Sequence, residues 1–312
     1  MKILVTGYHG FVGQNLIPFL KEKGYVVYGL GRTGDCTWDD LDKDPFPEVD
    51  AIIHLAGKAH DTKNTTEAKT YFDINKGLTI KIFSHFIQHP EIKNFIFFSS
   101  VKAVADRISG DSLKEDEEYA PRGPYGESKA EAEKEIIRLA HSEENMDLIK
   151  GRSVYILRPC MMHGPGNKGN LNLLYRVISH NLPWPLGAFE NKRSYAGIKN
   201  VCFVTEKLIS QEIPSGIYNL ADDEVLSTNQ LVEVIFNTLG KKAHIWKFGK
   251  GLVVIVAKIG DKLHLPLDSE RLNKLTENYV VDNQKIKNAL HITKMPFSTR
   301  EGLTYTILHF RD

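Results

Sequence analysis

In KILVTGYHGFVG, residues 2–13, a short apolar run leads directly into three glycines spaced GxxGxxG, and this pattern is the strongest indication of the fold. An apolar run without polar alternation is typical of a strand that is buried on both faces of a parallel sheet. Gly7 permits a tight turn, Gly10 lets a pyrophosphate approach backbone N–H groups, and Gly13 allows a helix to pack closely on the strand. The stretch therefore predicts a strand, a phosphate cradle for a dinucleotide, and a helix.

Further apolar runs of similar length follow and alternate with longer amphipathic segments. The predicted strands are KILVTG (2–7), YVVYGLG (25–31), DAIIHLAG (50–57), NFIFFSS (94–100), SVYILRP (153–159) and GIYNLAD (216–222). Strands that alternate with helices indicate an α/β fold with a doubly wound parallel (Rossmann) sheet. Its right-handed crossovers bring the carboxyl ends of the strands to one crevice, where ligands bind.

The strand–helix rhythm loosens after about residue 160, where Pro/Gly-rich segments and shorter helices follow. We therefore expect a dinucleotide-binding domain over 1–165, with 198–222 returning to it, and a smaller C-terminal lid over 166–197 and 223–312. Within the lid, Ser227 and Gln230 form a capping-box pattern that predicts the start of a helix.

The 312 residues have a net charge of +1 and 25% charged residues, an ordinary composition that gives no support to nucleic-acid binding. Cys36, Cys160 and Cys202 are widely separated, which is typical of a chain in the reducing cytoplasm. The twelve histidines lack metal-ligand spacing, so we expect no metal. The run GLVVIVAKIG (251–260) is too short for a membrane span and predicts a buried or interface helix, with contact to a membrane surface as the alternative.

Tyr125 stands four residues before Lys129 at the start of a predicted helix, GPYGESKAEAEK (123–134), which puts both side chains on one face. A phenol has a pKa of about 10. A nearby ammonium favours its ionised form and lowers that pKa. The hydroxyl of Ser100, at the end of a predicted strand, could hold the same substrate oxygen. These three residues predict proton transfer at a carbonyl/alcohol pair, beside a hydride carrier.

The same Y-x-x-x-K spacing recurs at Tyr195 and Lys199, in a glycine-containing, loop-like segment, and we interpret this copy as a coincidence. The dinucleotide itself is indicated by the end of the second strand. NAD-binding proteins usually carry an Asp or Glu there, whereas this chain has Arg32 and no carboxylate before Asp35. A cation suits a 2′-phosphate, so NADP(H) is favoured over NAD(H); NAD binds if Arg32 is only a solvated loop residue.

The set GYHGFVG, HLAG (54–57), Asn75, FFSS (97–100), PYGESK (124–129) and RPCMMHGPG (158–166) resembles the extended short-chain dehydrogenases/reductases, in the same order and approximate spacing. This family includes sugar-nucleotide epimerases, dehydratases and reductases. The resemblance implies Ser100, Tyr125 and Lys129 as the catalytic residues. The cofactor-binding residues that we infer are Gly7, Gly10, Phe11, Val12, Gly13, Arg32, Leu55, Ala56, Gly57, Asn75, Ser99, Tyr125 and Lys129. His163 stands where the family usually has tyrosine.

The residues that follow Ser100 bear on the reaction. The 4,6-dehydratases of the family have an Asp–Glu pair there, whereas this chain has Val101 and Lys102, which makes dehydration a poor fit. Several stretches, among them FFSSVKA and HGPGNKGNL, resemble reductases of UDP-4-keto-6-deoxy-N-acetylhexosamines, of the UDP-quinovosamine type. The alternative is a UDP-hexose(amine) 4-epimerase with tightly bound NAD.

The expected UDP-sugar substrate requires cations and helix N-termini for its diphosphate. We infer Lys102, Asn170, Arg193 and Arg271 as substrate-binding residues, with Asn170 as the N-cap of a helix. Arg158, within an apolar strand, is expected to brace the site. By analogy with the family we also expect a homodimer formed through the helix at Tyr125 and the helix at 73–88, whose Phe83, Phe86 and Ile136 could equally be core residues.

Overall fold

The computed structural model describes residues 1–41, 43, 47–59, 67–108, 110–167, 169–263 and 268–310. Within these ranges the strands are β1 (Lys2–Thr6), β2 (Val26–Gly31), β3 (Cys36–Thr37), β4 (Ala51–His54), β5 (Asn94–Phe98), β6 (Ser153–Pro159), β7 (Met161–His163), β8 (Tyr195–Gly197) and β9 (Gly216–Leu220). Seven of them form a parallel sheet in the order β3-β2-β1-β4-β5-β6-β9. The other two, β7 and β8, pair with each other.

Helices connect the strands and cover both faces of the sheet. In chain order they are α1 (Phe11–Glu22), α2 (Ala68–Phe72), α3 (Thr79–Gln88), α4 (Gly123–Ala140), α5 (Glu143–Ile149), α6 (Asn170–Ser179), α7 (Ile198–Ser210), α8 (Thr228–Thr238), α9 (Lys250–Leu263), α10 (Ser269–Thr276), α11 (Gln284–Ala289) and α12 (Thr299–Leu308). A π-helical turn, Asp73–Leu78, joins α2 to α3. A 3₁₀ turn, Val101–Ala103, follows β5.

The predicted doubly wound parallel sheet is confirmed, and each predicted strand run contains a strand. The strand order reverses between β1 and β4, and ligands of doubly wound sheets bind at such a switch point, at the carboxyl ends of the strands. The short strands β3, β7 and β8 were not predicted, because two or three residues carry too little periodicity to be recognised.

Three hydrophobic clusters hold these layers together. Two of them cover the two faces of the sheet, and the buried residues of the third all come from position 171 onward, mainly on α6, α8, α9, α10 and α12. The cluster on the α1 and α7 face also takes in Tyr279, Val281 and Ile286. Part of the C-terminal region therefore packs directly with the core of the sheet, while the rest has a core of its own.

Of the two interpretations given for Phe83, Phe86 and Ile136, the structure supports the one that makes them core residues, because their side chains are 0 to 1% exposed. The expectation for the second Y-x-x-x-K copy was wrong. The segment from Tyr195 is not a loop, since it forms β8 and the first turn of α7. The capping box of Ser227 and Gln230 is confirmed at the start of α8.

The cysteines at 36, 160 and 202 are all buried thiols. Among the described residues, no group of three or more His, Cys, Asp or Glu side chains is arranged to hold a metal ion. None of the helices in the ranges given above combines the length and the apolar character needed to cross a membrane.

Candidate active site

The glycine loop after β1 closes tightly against the loop after β4. Gly7 has a φ of +68°, and a Cβ atom built on it would lie 2.6 Å from the backbone N of Ala56. A Cβ on Gly13 would lie 2.5 Å from the carbonyl O of Tyr8. Side chains at either position would push the loop away from its neighbours, so both glycines are required by packing as well as by backbone conformation.

Gly10 differs from the other two glycines, because it is exposed and a Cβ on it would approach only the carbonyl O of Gly7, at 3.0 Å. It is also the N-cap of α1 and has no side chain with which to cap that helix. Phe11 and Val12, both half-buried, begin the helix. The first-turn N–H groups and the helix dipole are thus available to an anion, and a dinucleotide pyrophosphate fits this cradle.

The loop after β4 is joined to the glycine loop and to Asn75. Leu55 N donates to the carbonyl O of Thr6, and Ala56 N donates to Thr6 Oγ1 at 3.0 Å. A Cβ on Gly57 would lie 3.0 Å from Asn75 Oδ1 and 3.2 Å from Lys129 Nζ. The predicted cofactor residues at 55–57, 75 and 129 therefore lie together at the switch point of the sheet.

Asn75 is buried on the π-helical turn before α3. Its Nδ2 donates to Ser128 Oγ at 3.0 Å, and its Oδ1 accepts from Lys58 N at 2.7 Å. The π turn widens the helix by one residue, and such turns are frequent at functional sites. The geometry fixes the amide between the loop after β4 and helix α4.

His54 lies beneath this loop and was not singled out by the sequence. Its Nδ1 is 2.7 Å from Thr6 Oγ1, and its Nε2 is 2.9 Å from Thr79 Oγ1. Thr79 Oγ1 in turn donates to the carbonyl O of Asn75. Burial lowers the pKa of His54 to about 3, so the ring is neutral and braces β1, β4 and α3.

Tyr125, on the first turns of α4, hydrogen bonds through its hydroxyl to Ser100. The ring of Tyr71, on α2, stands edge-on to it with the centroids 6.4 Å apart. Burial raises the pKa of Tyr125, and the hydrogen bond with Ser100 opposes this shift. The net direction is opposite to the one expected from a neighbouring ammonium, because desolvation penalises the phenolate more than its surroundings stabilise it.

Lys129 is buried one turn further along α4. Its Nζ donates to the carbonyl O of Phe98 at 2.7 Å and lies 4.6 Å from the centre of the Phe97 ring. Burial lowers the pKa of Lys129 to about 8, with the Glu133 carboxylate opposing the shift. Ser100, Tyr125 and Lys129 are thus brought together at the end of β5; their catalytic roles stay a prediction.

Ser99 has a different environment from Ser100. Its hydroxyl donates to the Glu133 carboxylate, which also forms an ion pair with Arg158 at 2.6 Å and accepts a hydrogen bond from the hydroxyl of Tyr119 at 2.8 Å. Arg158 therefore braces the end of β6 against α4, as expected. Sequence reasoning missed Glu133, although its position four residues after Lys129 on the same helix face was a usable signal.

The end of β2 carries Arg32, which is exposed. The Asp35 carboxylate accepts a hydrogen bond from Gly29 N at 2.7 Å and thereby closes the loop that follows. The ring of Tyr8 packs on the strand, about 3 Å from where Cβ atoms would lie on Gly29 and Gly31. Asp35, the first carboxylate after Arg32 in the sequence, is therefore held by a backbone hydrogen bond.

The predicted substrate residues are more dispersed. Lys102 Nζ pairs with Asp106 at 2.7 Å and lies over the Tyr279 ring. The guanidinium of Arg193 donates to the carbonyl O of Lys274. Arg271 is exposed on α10, with its Nε 3.6 Å from Asp268.

Asn170 does not cap α6 as expected, because the helix begins at this residue and Gly169 precedes it as the N-cap; the side chain of Asn170 lies outside the described part of the chain. His163 is buried, with Nδ1 2.9 Å from Thr306 Oγ1 and Nε2 3.7 Å from Asp222. These contacts link β7 to α12, so His163 has a packing role in the structure.

This arrangement suits proton and hydride exchange at a carbonyl carbon. The cradle at Gly10 and α1 can hold a dinucleotide, and the hydroxyls of Ser100 and Tyr125 lie beyond it at the end of β5. Residues 3–221 match the NAD dependent epimerase/dehydratase family. The chain belongs to this family. It is an extended short-chain dehydrogenase/reductase and depends on a nicotinamide dinucleotide, as its motifs predicted.

Several proteins that are similar to this chain are named as enzymes of nucleotide sugars. A UDP-glucose 4-epimerase from Vibrio cholerae is 29% identical, over 99% of this chain and 95% of its own. A UDP-2-acetamido-2,6-beta-L-arabino-hexul-4-ose reductase from Pseudomonas aeruginosa is also 29% identical, over 58% of this chain and 41% of its own. The solved UDP-N-acetylglucosamine 4-epimerase from Bacillus cereus superposes with a TM-score of 0.76 at 21% identity, covering both chains completely, which shows the common fold.

Proposed function

We propose that this chain is an NADPH-preferring oxidoreductase that reduces the C4 keto group of a UDP-4-keto-6-deoxy-(N-acetyl)hexosamine in the biosynthesis of a surface-polysaccharide sugar. The observation that carries the proposal is the hydrogen-bonded pair of Ser100 and Tyr125 next to buried Lys129, at the crevice edge beside the glycine cradle. A pair of hydroxyls in this position can hold one carbonyl oxygen, as C4 reduction requires.

In the proposed reaction, the cradle at Gly10 and α1 would hold the reduced nicotinamide dinucleotide, which would supply the hydride that C4 receives. Ser100 donates a hydrogen bond to the C4 oxygen and orients the carbonyl. Tyr125 donates its phenolic proton to the same oxygen as negative charge develops there, so the product is an alcohol and the cofactor is left oxidised. Lys129 places positive charge under the site and stabilises the tyrosinate that remains. Burial raises the pKa of Tyr125, which keeps the phenol protonated and ready to donate.

The residues after Ser100 support reduction over dehydration. Removal of water requires a carboxylate acid/base pair beside the hydroxyl, whereas Val101 is buried and apolar and Lys102 is paired with Asp106. Exposed Arg32 at the end of β2 supports the phosphorylated cofactor, since it can meet a 2′-phosphate from solvent. In this proposal Lys102, Asn170, Arg193 and Arg271 contact the UDP-sugar, and the enzyme acts as a cytoplasmic homodimer.

The second candidate is a 4-epimerase of a UDP-hexose or UDP-hexosamine with retained NAD. It is supported by the Vibrio cholerae relative, which spans nearly the whole chain and is named as a 4-epimerase. Both reactions use the same proton and hydride exchange at C4. They differ in whether the reduced cofactor is consumed or regenerated within one turnover.

One experiment separates the two. The purified chain is mixed with UDP-4-keto-6-deoxy-N-acetylglucosamine and either NADPH or NADH, loss of the reduced nicotinamide absorbance is followed, and the product is identified by NMR. Stoichiometric oxidation with formation of a 4-hydroxy sugar supports the reductase. The 4-epimerase is supported instead if the chain interconverts UDP-N-acetylglucosamine and UDP-N-acetylgalactosamine with no added cofactor and oxidises neither NADPH nor NADH in the first assay.

A further inference from the structure

Helix α9 exposes a continuous row of large aliphatic side chains. We call it the apolar stripe and define it as Leu252, Ile255, Val256, Ile259 and Leu263, which are 43 to 64% exposed. Their spacing of three and four residues puts them on one side of the helix. Val253, Ala257 and Gly260 occupy an adjacent side and are buried. The helix is therefore anchored by one face and presents a second apolar face outward.

Two exposed aromatic residues precede the helix in the chain. Trp246 and Phe248 are 51% and 41% exposed, and their rings stack edge-to-face with the centroids 5.8 Å apart. Trp246 differs in this from Trp184, which is buried in the third hydrophobic cluster. Exposed apolar groups that form one contiguous patch mark interaction surfaces, whereas isolated ones do not.

The charge around the stripe is strongly one-sided. Residues 241–263 contain six lysines and a single aspartate, a local net charge of +5 in a chain whose total is +1. Lys247, Lys250, Lys258 and Lys262 are all exposed. Lys258 and Lys262, four residues apart, follow one edge of the stripe. Positive charge beside exposed Leu, Ile, Trp and Phe is the pattern of helices that lie in a membrane interface.

We propose that α9 and residues 246–248 dock the enzyme peripherally on an anionic phospholipid bilayer. The apolar stripe enters the headgroup–acyl boundary, Trp246 sits at the headgroup level, and the lysines contact lipid phosphates. Charge complementarity favours this occupant over a second copy of the chain, because the exposed lysines beside the stripe would repel those of a second copy. The proposal is independent of the reaction proposed above.

The test is co-sedimentation of the full chain with vesicles. Vesicles of phosphatidylglycerol and phosphatidylethanolamine are expected to bind at least about tenfold more protein than vesicles of phosphatidylcholine, with the difference shrinking as salt rises. The double variant Ile255→Asp/Ile259→Asp should lose about tenfold of this binding or more, since charges replace side chains that enter the lipid. Lys258→Glu/Lys262→Glu should lose binding to the anionic vesicles as well.

The matched control is Met146→Asp on α5, which changes another exposed apolar residue, 57% exposed, outside the surface. It should keep wild-type binding. Circular dichroism melts check that each variant folds, and sedimentation equilibrium without lipid measures the oligomeric state. Equal vesicle binding by wild type and Ile255→Asp/Ile259→Asp overturns the proposal. The proposal is also overturned if the wild-type protein does not bind vesicles and forms a dimer that dissociates only in Ile255→Asp/Ile259→Asp. The stripe would then be a subunit interface.

Discussion

Arg158 on β6 and Glu133 on α4 form an ion pair at 2.6 Å in which both side chains are fully buried. The pair sits under the loop that carries Ser99 and Ser100, and Ser99 and Tyr119 complete its hydrogen bonds. The structure therefore attaches the helix of Tyr125 and Lys129 to the end of β5 through a buried charge network. Removal of one partner leaves an uncompensated charge in the core.

We expect Arg158→Met to lower the free energy of unfolding by about 3–5 kcal/mol, because Glu133 then loses its counter-charge. Urea unfolding followed by circular dichroism measures this. The double variant Glu133→Leu/Arg158→Met should be more stable than Arg158→Met alone, since no charge is left unpaired. A single variant that unfolds at the wild-type urea midpoint would show that the pair contributes nothing to the core.

Tyr125→Phe removes the proposed proton donor and keeps the ring. Turnover should fall about 10²–10⁴-fold, the usual contribution of general acid catalysis, while dinucleotide affinity changes little. Steady-state kinetics and fluorescence titration with NADPH check the two quantities. The matched control is Tyr195→Phe in the other Y-x-x-x-K copy, whose buried hydroxyl has no hydrogen-bond partner among the described residues and should be dispensable. Comparable turnover in both variants would contradict the role of Tyr125.

Arg32→Asp should shift the coenzyme preference from NADPH towards NADH by about tenfold or more, since a carboxylate repels the 2′-phosphate and can bind a ribose 2′-OH. The ratio of kcat/KM for the two reduced cofactors measures the shift. Arg300→Asp, at an exposed position on α12, makes the same charge change away from the cradle and should leave the ratio unchanged. An Arg32→Asp enzyme with wild-type preference removes the basis for assigning NADP(H).

His54 gives the protein a defined acid sensitivity. Burial lowers its folded-state pKa from 6.5 to about 3, so between these values the unfolded chain binds a proton that the folded chain does not. Stability is therefore lost as pH falls, by about 2 kcal/mol between pH 7 and pH 5. Urea midpoints across this range should show a smaller loss in His54→Asn than in wild type. The exposed control His180→Asn should retain the full slope, and an equal slope in all three proteins would refute the assignment.

Lys129 produces the complementary effect at alkaline pH. Its folded-state pKa is lowered from 10.5 to about 8 by burial, so the folded chain gives up this proton earlier than the unfolded chain does. The contribution of Lys129 to the free energy of unfolding should therefore increase as pH rises from about 8 to 10.5. Lys129→Met should lose this increase relative to wild type and should also lose activity. If the variant follows the wild-type pH curve, Lys129 is not the group responsible.

The amino-acid sequence was enough to predict the fold class, because six apolar runs, each between turn residues, are typical of strands that are buried on both faces of a parallel sheet. It also determined the glycine cradle, since the tight approach of Gly7 to Ala56 and of Gly13 to Tyr8 depends on the absence of side chains. The spacing of Tyr125 and Lys129 fixed their common helix face in the same local way. These features depend on local geometry and on patterns that repeat along the chain.

The contacts between polar groups, by contrast, depend on how the chain packs in three dimensions. Glu133 and Arg158 are 25 residues apart in sequence, and His54 bonds to both Thr6 and Thr79, contacts that no periodicity encodes. The direction of the pKa shift of Tyr125 likewise depended on burial, which outweighs nearby charge and cannot be counted from residue types. The outward face of α9 was decided in the same way, since an apolar helix can be buried or exposed, and only its packing partners select which side faces water.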